Sequence, residues 1–157
     1  ATGPGLFAKN IAGSAKRMIA TDYSEGMIAQ AKKGRYPSNL IFEVADATNL
    51  PYEDDSFDVV LIANALHIIP EPERALSEID RVLKDKGILI APTFVNHQGG
   101  AVSRLWSKML KIGGVRFEHE WSKNDYEDFL KKNGWKVVNS KSLGARITMD
   151  YVECVRS

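Results

Sequence analysis

Short apolar segments alternate with helical patterns of apolar residues along the first 95 residues, and this alternation limits the possible folds more than any other feature. The apolar segments are residues 17–21, 40–44, 57–63 and 87–95, and the helical patterns lie in residues 6–15, 25–33 and 70–83. Strands that alternate with helices predict a Rossmann-like, doubly wound α/β fold, in which a mostly parallel sheet lies between two helical layers. Because residues 57–63 are the most continuous apolar run, we expect a strand buried on both faces in the middle of that sheet.

The alternation is interrupted at residues 96–121 and resumes afterwards. Ser122 with Asp125 resembles a capping box at the start of a helix that runs to Asn133. Residues 135–143 and 146–156 predict two strands joined by a turn at Gly144, most simply an antiparallel hairpin.

Length and composition predict one domain in residues 1–157 and narrow the classes of partner. The chain has 21 basic and 20 acidic residues, so its net charge is +1. Because this charge is too small to attract a polyanion, we expect no nucleic-acid partner. A single cysteine, Cys154, suits a reducing compartment. No apolar run reaches the roughly 18 residues that span a bilayer, so we expect a cytoplasmic protein without a membrane partner.

The glycine-containing turn at residues 1–5 precedes the first helical pattern, and Asp22 ends the next apolar segment. Glycines let a ligand approach the backbone, and the N-terminus of the following helix would direct N–H groups at it. An acidic residue at the end of the strand that follows this helix completes an arrangement typical of a nucleoside site. The alternatives are an ordinary turn and, for Asp22, an acid that interacts with a helix dipole.

Successive stretches of the chain resemble the motifs of class I S-adenosylmethionine-dependent methyltransferases, in the same order. These stretches are residues 1–5, residues 22–24 with Met27, residues 45–47 with Leu50 and Pro51, residues 57–60, and residues 83–87. Within that superfamily the chain most resembles the ubiquinone and menaquinone biosynthesis branch. The resemblance implies S-adenosylmethionine as cofactor and methyl transfer to a small-molecule acceptor by in-line displacement.

The resemblance also gives each matching position a role. Ala1, Gly3 and Gly5 would lie along the methionine part of the cofactor, and Asp22 would accept hydrogen bonds from the ribose hydroxyls. Tyr23 and Met27 would pack on the adenine, Asp46 and the Ala47 N–H would bind its polar edge, and Asn64 and Ala65 would lie beside the transferred methyl group. Ordinary core packing remains the alternative for Tyr23 and Met27, and a plain turn aspartate for Asp46.

His67 is the candidate catalytic residue, a general base if the acceptor must lose a proton. Its apolar flanks also suit a structural imidazole. Positioning and exclusion of water can perform most of an in-line displacement, so the chemistry does not demand a base. The histidines are too scattered along the chain to predict a metal site.

Residues 96–121 form the predicted substrate cover, inserted just beyond the cofactor site, with Trp106 and Trp121 as candidate substrate contacts. A helix that merely packs on the domain is the alternative for this segment.

Members of the family carry an apolar strand directly before the position of Ala1, and residues 1–157 do not contain it. We therefore expect roughly 40 upstream residues to be absent and a gap between the strands that end at Asp22 and near Ala63. We expect upstream residues to fill that gap. The alternatives are a strand from a second copy of the chain and direct pairing of the two strands.

Two other classes of function stay open on the sequence. A methyltransferase-like binding module without catalysis would share all of these motifs. A nicotinamide-dependent oxidoreductase would share the glycine turn and Asp22, but it predicts a glycine where Ala8 stands and gives no reason for the Asp46 motif.

Overall fold

The computed structural model describes residues 1–95, 119–144 and 148–157, and these fall into two units, Ala1–Pro51 and Tyr52–Ser157. The elements of the first unit are α1 (Leu6–Ile11), a 3₁₀ turn (Ala12–Ser14), β1 (Met18–Asp22), α2 (Glu25–Ala31) and β2 (Leu40–Val44). Strands β1 and β2 are parallel, and their register runs from Met18 opposite Leu40 to Asp22 opposite Val44. Both strands therefore end at the same edge.

Local sequence explains the helices of the first unit. The Ser24 hydroxyl caps α2 by accepting a hydrogen bond from the Met27 N–H at 3.3 Å. Small residues let α1 and α2 pack closely on the strands. The buried cluster is Ala8, Ala12, Ala20, Ile28, Ala31, Leu40 and Phe42, with Met18 packed against it.

The second unit contains one mixed sheet. Its elements are β3 (Phe57–Leu61), α3 (Pro72–Val82), β4 (Leu83–Ile90), β5 (Thr93–Val95), α4 (Lys123–Lys132), β6 (Trp135–Leu143) and β7 (Thr148–Arg156). The strand order is β3-β4-β7-β5, and β6 pairs with β7 as well. β3 and β4 are parallel, whereas β4, β5 and β6 all pair antiparallel to β7. The predicted C-terminal hairpin is confirmed.

The helices of the second unit begin as their sequences predict. Pro72 is the first residue of α3, where its missing N–H costs no hydrogen bond. The capping box before α4 is confirmed, since the Ser122 hydroxyl accepts from the Asp125 N–H and the Asp125 carboxylate accepts from the Ser122 N–H. α4 buries Tyr126 and Leu130 against the sheet.

The prediction for residues 57–63 is wrong in two respects. β3 is the terminal strand of its sheet and not a central one, and Val59 is 50 % exposed. An apolar run shows that a strand can be buried, but burial also needs a covering layer and a neighbour on each edge. No described residue supplies the strand that the resemblance places beside it, and the described strands form two sheets.

The single strand predicted at residues 87–95 is divided into β4 and β5. Pro92 lies between them and has no N–H to donate to a ladder, so it interrupts the pairing. None of the described helices is long and apolar enough to cross a membrane.

Candidate functional site

Asp22 is held in one orientation at the carboxyl end of β1. Its Oδ2 accepts a hydrogen bond from the Gly3 N–H at 2.7 Å, and its Oδ1 accepts one from the Ser24 N–H at 3.0 Å. A carboxylate has about four lone-pair positions, so roughly two are left for an external donor. The side chain is only partly buried, and the carboxylate is thus a fixed acceptor for a ligand that carries hydroxyl groups.

The turn that precedes α1 is tied to the end of β1. The Thr2 N–H donates to the Thr21 carbonyl at 2.7 Å, and the Ala1 nitrogen donates to the same carbonyl at 2.7 Å. Gly3 has φ +56°, and a Cβ built there would have nothing within 4 Å. The open side of Gly3 therefore leaves room for a ligand beside the backbone.

Gly5 has a different reason to be glycine. Its φ is +74°, and a Cβ built there would lie 2.7 Å from the Phe42 ring and 2.9 Å from the Ala31 Cβ. The missing side chain thus makes room for the internal packing of the first unit. This internal packing is enough to explain the glycine, whether or not a ligand contacts the Gly5 backbone.

Asp46 and Ala47 follow β2 at the same edge as Asp22. The Ala45 N–H donates to the Asp22 carbonyl at 3.1 Å, which joins the two strand ends. Asp46 Oδ1 accepts from both the N–H and the hydroxyl of Thr48 at 2.8 Å, so an Asx turn orients this second carboxylate. Two oriented carboxylates therefore lie at the carboxyl edge of one parallel pair, where such sheets bind ligands.

Tyr23 and Met27 are exposed beside this edge. Tyr23 directly follows Asp22 and is 78 % exposed, and Met27, in the first turn of α2, is 45 % exposed. In the described unit neither side chain is an ordinary core residue. Both are available to pack on an apolar, flat ring.

Asn64 and Ala65 follow β3 in the second unit. Asn64 has φ +51°, an uncommon conformation for a residue other than glycine, and its N–H donates to the Pro92 carbonyl at 2.8 Å. Its side-chain Oδ1 is buried and has no hydrogen-bond partner among the described residues. Strained backbone and an unsatisfied polar atom concentrate at functional sites, and both occur here.

His67 is buried, with 4 % of its surface exposed. Its Nδ1 lies 3.0 Å from the Thr93 hydroxyl, and its carbonyl accepts from the His119 N–H at 3.1 Å. Burial lowers the pKa of His67 to about 4, so the imidazole is neutral at pH 7. These contacts suit the structural interpretation, and the neutral ring retains the lone pair that a base requires.

Trp121 lies just before α4 and belongs to an aromatic cluster with His119 and with Phe129 of that helix. Its ring stacks on Phe129 at 4.8 Å and on His119 at 5.3 Å between centroids. Trp121 is therefore held by its own neighbours at the end of the predicted cover. Trp106 and the rest of residues 96–118 lie outside the described residues.

Two buried polar residues, Thr93 and Asp150, were not predicted from the sequence. A polar residue inside an otherwise apolar strand is the signal that could have identified Thr93, but only the strand register shows that it lies opposite Asp150. A pocket of about 370 Å³ lies elsewhere, lined by α3 residues such as Asp80, by Asn133 and Gly134, and by Arg156, which donates a hydrogen bond to the Asp80 carboxylate. The described residues contain no cluster of His, Cys, Asp or Glu suited to a metal ion.

Comparison with known proteins identifies the family of this chain. Residues 1–91 match the family model described as a methyltransferase domain. A demethylmenaquinone methyltransferase from Clavibacter sepedonicus is 38 % identical over 95 residues, which cover 60 % of this chain and 39 % of that protein. A ubiquinone/menaquinone biosynthesis C-methyltransferase from Campylobacter jejuni is 34 % identical over 140 residues, which cover 83 % of this chain and 58 % of that protein. The chain thus spans about half the length of these relatives.

A solved structure shows the same fold. It is a putative methyltransferase in complex with the Trm112 methyltransferase activator of Haloferax volcanii, and it superposes with a TM-score of 0.83 at 20 % identity, covering 99 % of this chain and 79 % of that chain. The predicted Rossmann-like fold class is confirmed. The chain therefore belongs to the methyltransferase domain family, in the class I S-adenosylmethionine-dependent branch that contains the ubiquinone and menaquinone biosynthesis enzymes.

Proposed function

We propose that this chain is a methyltransferase domain that binds S-adenosylmethionine and transfers its methyl group to a small-molecule acceptor. The observation that carries the proposal is the Asp22 carboxylate, which two backbone N–H groups orient while roughly two lone-pair positions stay open. The two neighbouring hydroxyls of a ribose are donors of matching number. A charged carboxylate is well suited to accept a hydrogen bond from each of these hydroxyls.

The other residues of the first unit fit the remaining parts of the cofactor. The open side of Gly3 accommodates the methionine part, with Ala1 and Gly5 along the same turn. Tyr23 and Met27 offer exposed apolar surface for the adenine ring, and Asp46 with the Ala47 N–H offers an acceptor and a donor for its polar edge. The bound cofactor supplies an electrophilic methyl group on a sulfonium sulfur. The protein's residues bind it, orient it and exclude water.

The acceptor side of the proposal rests on the second unit. Asn64 and Ala65 follow β3 at the carboxyl end of the strand, the end at which folds of this type bind ligands. We assign residues 96–121 as the substrate cover of a single domain, with Trp106 and Trp121 as contacts. The name of the Clavibacter relative gives a demethylated menaquinone as its substrate, and this supports a small apolar or aromatic acceptor here. A cytoplasmic location, without nucleic-acid or membrane partners, completes the proposal.

Calorimetry on the purified chain tests the cofactor. We expect S-adenosylmethionine and S-adenosylhomocysteine each to bind at one site and NAD to give no heat. Binding of NAD alone would overturn the proposal in favour of an oxidoreductase. Cofactor binding without transfer to any quinol or phenol acceptor would favour a binding module.

Substitution His67→Ala tests the proposed base. If His67 takes a proton from the acceptor, turnover falls by about 10² to 10⁴-fold while the cofactor Kd changes little. A loss of turnover below about threefold would assign His67 to structure alone. Thermal unfolding of the variant separates a local effect on chemistry from a general loss of folding.

A further inference from the structure

A row of polar side chains crosses the sheet of the second unit beneath His67. Asp150 on β7 lies opposite Thr93 on β5 and, on its other side, opposite Ser142 on β6. Directly opposed residues of antiparallel strands project from the same face with Cβ atoms about 5 Å apart. Ser142, Asp150 and Thr93 therefore form one continuous row, and the Thr93 hydroxyl reaches His67 Nδ1 at 3.0 Å.

The hydrogen bonds within this row are unevenly distributed. Asp150 Oδ1 accepts from the Ser142 hydroxyl at 2.9 Å and lies 3.2 Å from Lys123 Nζ. Asp150 is 0 % exposed, and its Oδ2 has no hydrogen-bond partner among the described residues. Leaving a buried carboxylate oxygen without a donor is unfavourable, because the oxygen has lost its hydrogen bonds to water. A donor is therefore expected to turn toward Oδ2.

Thr93 is the neighbour that can supply this donor. It is 1 % exposed, and its hydroxyl contacts His67 Nδ1. A hydroxyl has one proton to donate and two lone pairs with which to accept. If that proton points at Asp150, Thr93 can only accept from His67, so His67 must carry its proton on Nδ1.

We propose that Thr93 and Asp150 are positioning residues that hold His67 in the Nδ1–H tautomer through the relay His67 Nδ1–H to Thr93 Oγ1–H to Asp150 Oδ2. The second hydrogen bond requires a side-chain rotation of Thr93 or Asp150, which face each other in the strand register. The neutral ring then has its lone pair on Nε2, the atom on the side away from Thr93. Lys123 and Ser142 fix the other carboxylate oxygen and so keep Oδ2 turned toward the relay.

The relay deepens the proposed function, because it gives His67 the protonation pattern that a base for methyl transfer requires. The tautomer itself is a property of the folded chain and needs no cofactor or acceptor. Failure of the relay and failure of the methyltransferase proposal are therefore distinguishable. Calorimetry with S-adenosylmethionine reports the second, and NMR of His67 reports the first.

Nitrogen-15 NMR of the imidazole rings at pH 7 tests the relay, with His67→Gln used to assign the resonances. In the wild-type chain we expect Nδ1 of His67 to be protonated and Nε2 to be the unprotonated, pyridine-type nitrogen. A ring with its proton on Nε2, or a doubly protonated ring, would overturn the proposal.

Substitution Asp150→Asn reverses the expected tautomer. The Ser142 hydroxyl donates to the Oδ1 position and the Lys123 ammonium lies 3.2 Å from it, so the amide oxygen stays there and the NH₂ group faces Thr93. The Thr93 hydroxyl then donates to His67 Nδ1, and the ring proton moves to Nε2. Retention of the Nδ1–H tautomer in this variant would contradict the relay.

Three further variants complete the test. Thr93→Val removes the relay and should abolish the preference for Nδ1–H, whereas Thr93→Ser should restore it. Asp58→Asn changes a surface carboxylate that is 83 % exposed and should leave His67 unchanged. If Asp150→Asn does not fold, the wild-type tautomer and the Thr93 pair still decide: equal spectra for Val and Ser at position 93 would refute the relay.

Discussion

At the scale of single residues, the burial of His67 makes stability depend on pH. Burial lowers the pKa in the folded state to about 4, from an ordinary value of 6.5. Between these values the unfolded chain binds more protons than the folded chain, so stability falls as pH decreases through this window. Within this window the free energy of unfolding changes by at most about 1.4 kcal/mol per pH unit. Above pH 6.5 His67 makes no contribution to the pH dependence.

Urea unfolding at pH 7 and pH 5 measures this effect. The wild-type chain should lose about 1 to 2 kcal/mol more than His67→Gln between the two pH values. The variant serves as the control, because the other titratable groups are the same in both chains. Equal losses would show that His67 is not protonated preferentially in the unfolded state.

At the scale of elements, the turn before α1 depends on Gly5. Substitution Gly5→Ala adds a Cβ that collides with Phe42 and Ala31 in a backbone conformation unfavourable for side chains. Overpacking costs about 1 to 3 kcal/mol and the left-handed conformation about 1 to 2 kcal/mol more. We therefore expect a markedly lower thermal unfolding temperature.

Gly34→Ala is the matched control for this prediction. Gly34 has φ +79°, but a Cβ there meets nothing within 4 Å, so the variant has the conformational cost alone. Gly5→Ala should be the less stable variant by at least about 1 kcal/mol. Equal unfolding temperatures would mean that the packing around Gly5 relaxes without cost.

Elements with a local signal could be predicted from the sequence. The β2 strand and the β6 strand have the expected bounds, because turn residues and apolar patterns delimit them. The capping box at Ser122 also follows from local chemistry. In contrast, the apolar residues around Pro92 predicted one continuous strand, whereas Pro92 divides it into β4 and β5. The place of β3 in its sheet depends on neighbouring strands that are distant in the sequence.

The same distinction applies to the candidate site. Asp22 and Asp46 lie at one edge, as expected, because residues that end parallel strands meet at the same side of a sheet. The His67–Thr93 contact and the Thr93–Asp150 pair join residues far apart in the chain. No local pattern specifies such a register, so these contacts required the structure.

At the scale of the whole molecule, the family and the geometry at the end of β1 lead to one claim. The chain belongs to the methyltransferase domain family, and Asp22 is the oriented acceptor at the carboxyl edge of its first unit. If Asp22 holds the ribose, the loss of its hydrogen bonds removes about 1.5 to 3 kcal/mol of binding free energy. This corresponds to a decrease in affinity of about tenfold or more.

The Kd of S-adenosylmethionine for Asp22→Ala, measured by calorimetry against the wild-type chain, tests this claim most directly. Asp85→Ala is the control of equal charge change, since Asp85 is 94 % exposed and belongs to β4. We predict that Asp22→Ala raises the Kd at least about tenfold while Asp85→Ala leaves it unchanged. An unchanged Kd in a folded Asp22→Ala variant would show that the Asp22 carboxylate does not hold the ribose.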